Sequence, residues 1–171
     1  MDGNTVCRTI RRIANEIIER NDAVKDLCFL GIQRGGVYLA EKIISEIADI
    51  ENIKLPIGTL DITLYRDDIG LKEEQSVIKM TDIPFDITGK KIILVDDVIF
   101  TGRTIRAALD EIIDFGRPAS IQLAVLIDRG GKEFPICADY VGRKISAEKD
   151  ESVRVLMKQA GGEDKVVLRY D

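Results

Sequence analysis

Apolar residues recur along this chain in two rhythms. Val6, Ile10, Ile13, Ala14, Ile17 and Ile18 fall three or four residues apart, the stripe of an amphipathic helix over about 5–21 with Asn4 as its cap. Arg8, Arg11, Arg12, Glu16 and Glu19 fall largely on its wet side. LCFLGI (27–32) reads as a short buried strand, QRGG as a turn, and VYLAEKIISEIADI (37–50) as a second helix with Ala40, Ile43, Ile44 and Ile47 inward. Residues 57–65 alternate, which predicts a strand with Leu60, Ile62 and Leu64 on one face. RDDIGLKEEQS (66–76) has charge, a glycine and no period, and is expected to be a mobile loop. VIKM resumes a strand, and a turn-rich DIPFDITGK leads to KKIILV (90–95), another. A helix fits about 103–115, stopped by Gly116 and Pro118, and SIQLAVLID (120–128) is the next strand.

Strand, glycine turn and helix repeat around 27–50 and 90–128, which predicts βαβ units and a parallel sheet with helices on both faces. SVRVLM and KVVLRY flank Gly161-Gly162 as an antiparallel hairpin on the sheet edge. The expected fold is therefore α/β: a single doubly wound domain over 1–171, with a mainly parallel central sheet and a small C-terminal hairpin. The 171-residue length suffices for a real core.

Composition narrows the chemistry. There is no histidine, which removes Ser-His and Cys-His nucleophile systems and argues against catalytic zinc. Carboxylates must then do any acid–base or metal work, with Mg2+ their natural partner. Cys28 and Cys137 lie in apolar runs, so buried thiols are expected rather than a disulfide or metal site, and Cys7 leaves the count odd. No apolar run is long enough to span a membrane and MDGNTVCRTIRR has no signal-peptide core, so a cytoplasmic protein is expected. A net charge of −5 argues against a surface that coats nucleic acid, leaving room for a local basic patch.

Three loops fall beyond the carboxyl ends of the strands, where doubly wound sheets bind ligands: QRGG, DDVIFTGRT and DRGGK (128–132). The middle one places Asp96 and Asp97 where an apolar strand is expected to end, because an unpaired carboxylate inside a core is costly. Thr101, Gly102, Arg103 and Thr104 then open a helix, whose N–H groups and hydroxyls suit a phosphate monoester. Phosphate at one end and a carboxylate pair for a diol or Mg2+ at the other describe a ribose 5-phosphate. Spacing alone also admits a solvated acidic turn and an ordinary helix start. The glycine fingerprints of nucleoside triphosphatases and dinucleotide folds are absent.

IILVDDVIFTGRT (92–104) resembles the phosphoribosyl-diphosphate signature of type I phosphoribosyltransferases. RRIANEIIERN, LDITLYRDDIG, RPASIQLAVLIDRG and FPICADYVG extend the resemblance to the bifunctional pyrimidine-operon attenuation protein/uracil phosphoribosyltransferase family, along nearly the whole chain. That resemblance implies conversion of uracil and 5-phosphoribosyl 1-diphosphate to UMP and diphosphate with Mg2+. It assigns Asp96 and Asp97 to the ribose hydroxyls and, through water and substrate, to the metal. Val98, Thr101, Gly102, Arg103 and Thr104 would hold the rest of the phosphoribosyl group, and Gln33, Arg34, Gly35 and Gly36 would meet the diphosphate. Arg34 and Arg66 join the aspartates as residues acting in catalysis, and the loop around Arg66, Asp67 and Asp68 would exclude water. The family carries Thr-Arg-Gly where this chain has Arg34-Gly35-Gly36, so a cation is kept but displaced by one residue.

Arg129, Tyr140 and Val141 would face the base, Tyr140 by stacking; the alternative for Tyr140 and Val141 is a strand filling the core. Phe100 stands where enzymes for 6-oxopurines place an Asp, which counts against hypoxanthine and guanine. The family's second activity is binding of pyrimidine-operon leader RNA in response to UMP or UTP. Arg8, Arg11, Arg12, Arg143, Lys144 and Lys149 are the basic candidates, although six basic residues equally describe a solvated surface. A homodimer or higher homo-oligomer is also implied. Two other functions stay open: a regulator whose pocket only senses nucleotide, and a phosphoribosyltransferase for another base.

Overall fold

The computed structural model describes residues 1–65, 80–147, 151–157 and 164–170. Helix α1 spans Gly3–Arg20. Its cap is Asp2 rather than Asn4: the Asp2 carboxylate accepts the Thr5 N–H at 2.8 Å, which leaves Asn4 inside the first turn. Strand β1 is Leu27–Ile32, buried throughout. Helix α2 (Gly35–Glu51) starts two residues earlier than its apolar period predicts, taking in Gly35 and Gly36, and Ile44 is only half-buried.

Strand β2 is Ile57–Leu60 and stops short of the predicted 57–65. Asp61 ends it by accepting the Thr63 N–H at 3.1 Å, which starts a 3-10 turn over Ile62–Leu64 and throws Leu64 out to 78% exposure. Of the strand predicted over 77–80, only Met80 is described; it is exposed and in no strand. The charged loop expected over 66–76 lies outside the described residues.

Strand β3 (Lys91–Ile99) does not end at the aspartates but carries them inside its second half. Helix α3 (Arg103–Phe115), strand β4 (Ser120–Asp128) and strand β5 (Tyr140–Lys144) follow. The five strands pair in parallel in the order β2-β1-β3-β4-β5. The chain leaves β1 towards one edge through α2 and later fills the other side, so the switch point lies between β1 and β3, where the loops after the two strands part.

Register explains how β3 carries two carboxylates. Its ladder with β1 ends at Gly31 opposite Val95, whereas its ladder with β4 runs on through Asp96 opposite Val125 to Ile99 opposite Asp128. Beyond Val95 the strand is therefore held on one edge and faces a crevice on the other. Val6, Ile13, Leu39 and Ile43 of α1 and α2 cover one sheet face with Phe29, Ile93 and Tyr140. Ile105, Ala108 and Ile112 of α3 cover the other with Leu30, Leu94 and Val125.

The C-terminal hairpin, β6 (Glu151–Leu156) and β7 (Lys165–Tyr170), forms its own two-stranded antiparallel sheet and not an edge of the parallel one. Val166 is buried against the α1–α2 side, and the amino group of Met1 donates to its carbonyl at 2.7 Å. Lys42 of α2 pairs with Asp164 at 2.9 Å, so the hairpin stands beside the crevice. Cys28 is buried, and burial pushes its thiol up; Cys7 and Cys137 are exposed, against the expectation of a buried Cys137. No described helix is long and apolar enough to cross a membrane.

Candidate active site

The crevice at the switch point is built from close backbone contacts. A Cβ on Gly35 would lie 2.1 Å from Asp97 Oδ2, and one on Gly36 would lie 2.2 Å from the Val95 carbonyl oxygen. Two successive glycines are thus what lets the start of α2 rest against β3. The Gln33–Arg34 peptide is cis, and Arg34, exposed, stands at the N-cap of α2.

Asp96 is buried and its Oδ1 accepts the Asp97 N–H at 2.9 Å. Asp97 is half-buried, and burial pushes its carboxyl above its ordinary value, against the lowering effect of its hydrogen bonds with Asp96 and the Val98 backbone. It lines a cleft of about 750 Å3 with Arg34, Gly35 and Tyr38 on one wall and Val155, Leu156, Met157 and Lys165 on the other. The hairpin's share of this wall was missed from sequence; the signal available was only an apolar strand with a cation across from it.

A second hollow of about 220 Å3 begins one residue further on and is lined by Val98 to Gly102, Thr104 and Ile105. Gly102 caps α3 at φ 92° and, as a glycine, brings no side chain to the helix's first turn. Thr101 Oγ accepts the Arg103 N–H at a long 3.3 Å. The Thr101 carbonyl accepts the Glu133 and Phe134 N–H groups at 2.9 and 3.1 Å, which fixes the turn from behind. Arg103 turns to that brace as well, donating from Nε to Glu133 at 2.8 Å with its guanidinium over the Phe134 ring. Arg103 thus engages the brace behind the turn, while Gly102 and Thr104 on either side of it line the hollow.

The third loop closes the rim. Burial raises the Asp128 carboxyl, but the Lys132 ammonium at 2.7 Å and the Gly130 N–H at 3.0 Å outweigh it and hold it below its ordinary value. Arg129 stacks on Phe100 with its guanidinium carbon 3.9 Å from the ring centroid, and its Nη2 donates to the Glu151 carbonyl. It therefore joins the hollow's rim to the first residue of β6.

Of the expected site residues, Arg34, Gly35 and Asp97 line the cleft and Val98, Thr101, Gly102 and Thr104 line the hollow, with Asp96, Gln33, Gly36 and Arg103 as their chain neighbours and Arg129 against Phe100 on the hollow's rim. Tyr140 is a correction. Its ring is fully buried under α1, and its hydroxyl donates to Gln122 and accepts from Asn21, both at 3.1 Å, so it has no free face on which a base could stack. A tyrosine at the start of an edge strand covers the core end of the sheet. Val141 is half-buried, and its carbonyl accepts from Arg12 at 3.1 Å. Arg66 and Lys149 lie outside the described residues.

Two carboxylates present hard oxygen donors, and among the described residues no group of three or more Cys, Asp or Glu gathers into a site that could hold a metal ion. Oxygen donors of this kind are the type that Mg2+ takes alongside water and phosphate oxygens.

The basic candidates divide. Arg11 pairs with Glu46 at 2.8 Å, and Arg12 pairs with Glu16 while donating to the Val141 and Gly142 carbonyls on the edge strand. Arg8, Arg143 and Lys144 are exposed. Since Arg12 clasps β5, the basic residues of α1 and β5 lie on neighbouring elements.

The chain matches the model of the phosphoribosyl transferase domain over residues 2–157. It is 52% identical over 169 residues to the bifunctional protein PyrR of Roseiflexus sp., covering 98% of this chain and 92% of that one. It is 50% identical over 170 residues to the bifunctional protein PyrR of Halalkalibacterium halodurans, covering 98% and 94%. Among solved structures, a hypoxanthine-guanine phosphoribosyltransferase of Bacillus anthracis superposes with a TM-score of 0.64 at 22% identity, covering 85% of this chain and 80% of the other. The hypoxanthine phosphoribosyltransferase of Trypanosoma cruzi gives 0.65 at 19% identity, with the same coverage. Those two likenesses establish the type I phosphoribosyltransferase fold.

Proposed function

The chain belongs to the phosphoribosyl transferase family and, within it, to the PyrR group of bifunctional proteins; on that premise we propose that it transfers the phosphoribosyl group to uracil, giving UMP and diphosphate. The observation that carries this reading is a cleft lined by Asp97 together with a hollow whose lining begins at the next residue, Val98. The small hollow at the start of α3 suits a 5′-phosphate, because backbone N–H groups and the positive helix end meet an anion there. Asp96 and Asp97 suit the ribose hydroxyls as acceptors. The larger cleft, with Arg34 on its wall, suits the diphosphate.

The reaction forms a bond from N1 of uracil to C1′ as the bond from C1′ to diphosphate oxygen breaks, and the N1 proton leaves to solvent. No strong base is required. The aspartates orient the ribose and favour the positive charge that develops on it, while Arg34 favours the leaving diphosphate. Mg2+ held by Asp96 and Asp97 together with substrate would supply further neutralisation of that leaving group.

Phe100 supports a pyrimidine over a 6-oxopurine, since its ring, covered by Arg129, offers no acceptor to an imidazole edge. The burial of Tyr140 removes one expected uracil contact, so a phosphoribosyltransferase for another base is the rival among enzymes. The second activity we propose is binding of leader RNA in response to UMP or UTP, favoured by the neighbouring basic residues of α1 and β5. A sensor without turnover is the limiting form of that reading. The family also leads us to propose a homo-oligomer.

The deciding assay is nucleotide formation from phosphoribosyl diphosphate and Mg2+ with uracil, hypoxanthine, guanine and orotate in parallel. Turnover with uracil alone is expected. Turnover with another base in its place overturns the substrate; none with any base, together with a melting temperature raised by UMP, turns the site into a sensor.

A further inference from the structure

The diphosphate wall is short of positive charge on its α2 side. Any side chain at position 35 would drive its Cβ to 2.1 Å from the Asp97 carboxylate, so the turn after β1 offers Arg34 and has no room for a neighbouring cation. Among the described residues, three charged ones line the 750 Å3 cleft: Asp97, Arg34 and Lys165. Lys165 stands on the opposite wall, and register puts it across from Leu156, which lines the same cleft.

Its backbone is well fixed. The preceding residue, Asp164, is paired with Lys42 of α2 at 2.9 Å. The following residue, Val166, is buried and exchanges two hydrogen bonds with Met1, at 2.7 and 3.0 Å. Alternation along β7 then sends the Lys165 side chain away from the face that Val166 buries.

We propose that Lys165 is a second cation of the diphosphate subsite, facing Arg34 across the cleft so that the two together hold the pyrophosphoryl group of the substrate and of the product. The assignment rests on the phosphoribosyl-transfer reading of the site. It makes the hairpin part of the substrate site and not only a cover for the α1–α2 core. A flexible ammonium also suits a group that must bind diphosphate and then let it go, because it acts as a point charge without a fixed fork geometry.

The test is calorimetric binding of inorganic diphosphate with Mg2+ to the full chain, alongside steady-state kinetics, for Lys165→Met and Lys165→Arg. Lys165→Met is expected to weaken diphosphate and to raise the KM for phosphoribosyl diphosphate by about tenfold, the loss of one charge-assisted contact. Its affinity for UMP, which has no diphosphate at C1′, should stay within about twofold, and Lys165→Arg should recover most of the loss. An unchanged diphosphate affinity, or an equal loss for UMP, overturns the assignment. A wild-type protein that binds diphosphate through Lys165 yet forms no nucleotide from any base would overturn the transfer reading and leave the subsite standing. Nucleotide formation that is indifferent to Lys165→Met would do the reverse, and a wild type that binds no diphosphate removes both.

Discussion

At the scale of single residues, the site is made of groups that folding alone would not choose. Asp97 is held half-buried beside Asp96, and burial raises its carboxyl from the ordinary 3.8. A carboxylate with a raised folded value favours the folded state most below its unfolded value, and that contribution is lost as pH rises through the folded value. At neutral pH its charge therefore opposes folding. Asp97→Asn should stabilise the ligand-free protein by about 1 kcal/mol at pH 7, with the difference shrinking as pH falls towards 4, in urea titrations across that range. A variant less stable than wild type at pH 7 would mean that the carboxylate has stabilising partners that outweigh its burial. The two glycines opposite it are equally specific. Gly36→Ala puts a methyl 2.2 Å from the Val95 carbonyl oxygen, which is backbone and cannot swing away. We expect a loss of about 2–3 kcal/mol in urea unfolding, as for an overpacked core position.

At the scale of elements, what was legible in the sequence was what periodicity controls. LCFLGI and SIQLAVLID form strands over the residues their apolar runs mark, and α3 fills 103–115 as its flanking glycines predict. The failures have local causes. β2 ends early because the Asp61 side chain captures the next turn, and an alternating pattern carries no warning of that. β3 runs through its aspartates because β4 keeps pairing with it after β1 has stopped, a fact of register between strands far apart in sequence. Among site residues, the motif at 92–104 contributes Asp97 to the cleft and Val98, Thr101, Gly102 and Thr104 to the hollow beside it. For Tyr140 the core-filling alternative is the one the structure shows, because a tyrosine that fills a core and one that stacks on a ligand look alike in sequence. Its hydroxyl partners, Asn21 and Gln122, come from α1's end and from β4. The α3 cap is the element on which the phosphate hollow depends. Gly102→Ala forces a side chain to φ 92° with its Cβ 3.3 Å from Phe134 Cβ. It should cost about 1–2 kcal/mol of stability in urea unfolding and raise the KM for phosphoribosyl diphosphate more than that for the base.

At the scale of the whole molecule, one sheet serves two surfaces. The crevice lies at the switch point, while α1 lies along the far edge, where Arg12 covers the Val141 and Gly142 carbonyls. Arg12 is thus tied into the fold, whereas Arg8, Arg143 and Lys144 are exposed. If that edge meets single-stranded RNA through these three, replacing them together with alanine should flatten the salt dependence of binding by about 2 units of log–log slope. Binding with an unchanged slope would place the RNA elsewhere. The net charge of −5 makes the comparison informative, because nonspecific attraction to RNA is weak to begin with.

The most direct measurement is the rate of UMP formation from uracil and phosphoribosyl diphosphate by wild type and by a variant carrying Asp96→Asn and Asp97→Asn, each shown to melt cooperatively. Wild-type turnover that falls by at least about a thousandfold in the variant is expected, since two groups facing the developing charge are lost together. A folded variant that still forms UMP at a comparable rate would contradict the orienting and charge-stabilising role of the carboxylate pair, and with it the reading of the crevice as a phosphoribosyl-transfer site.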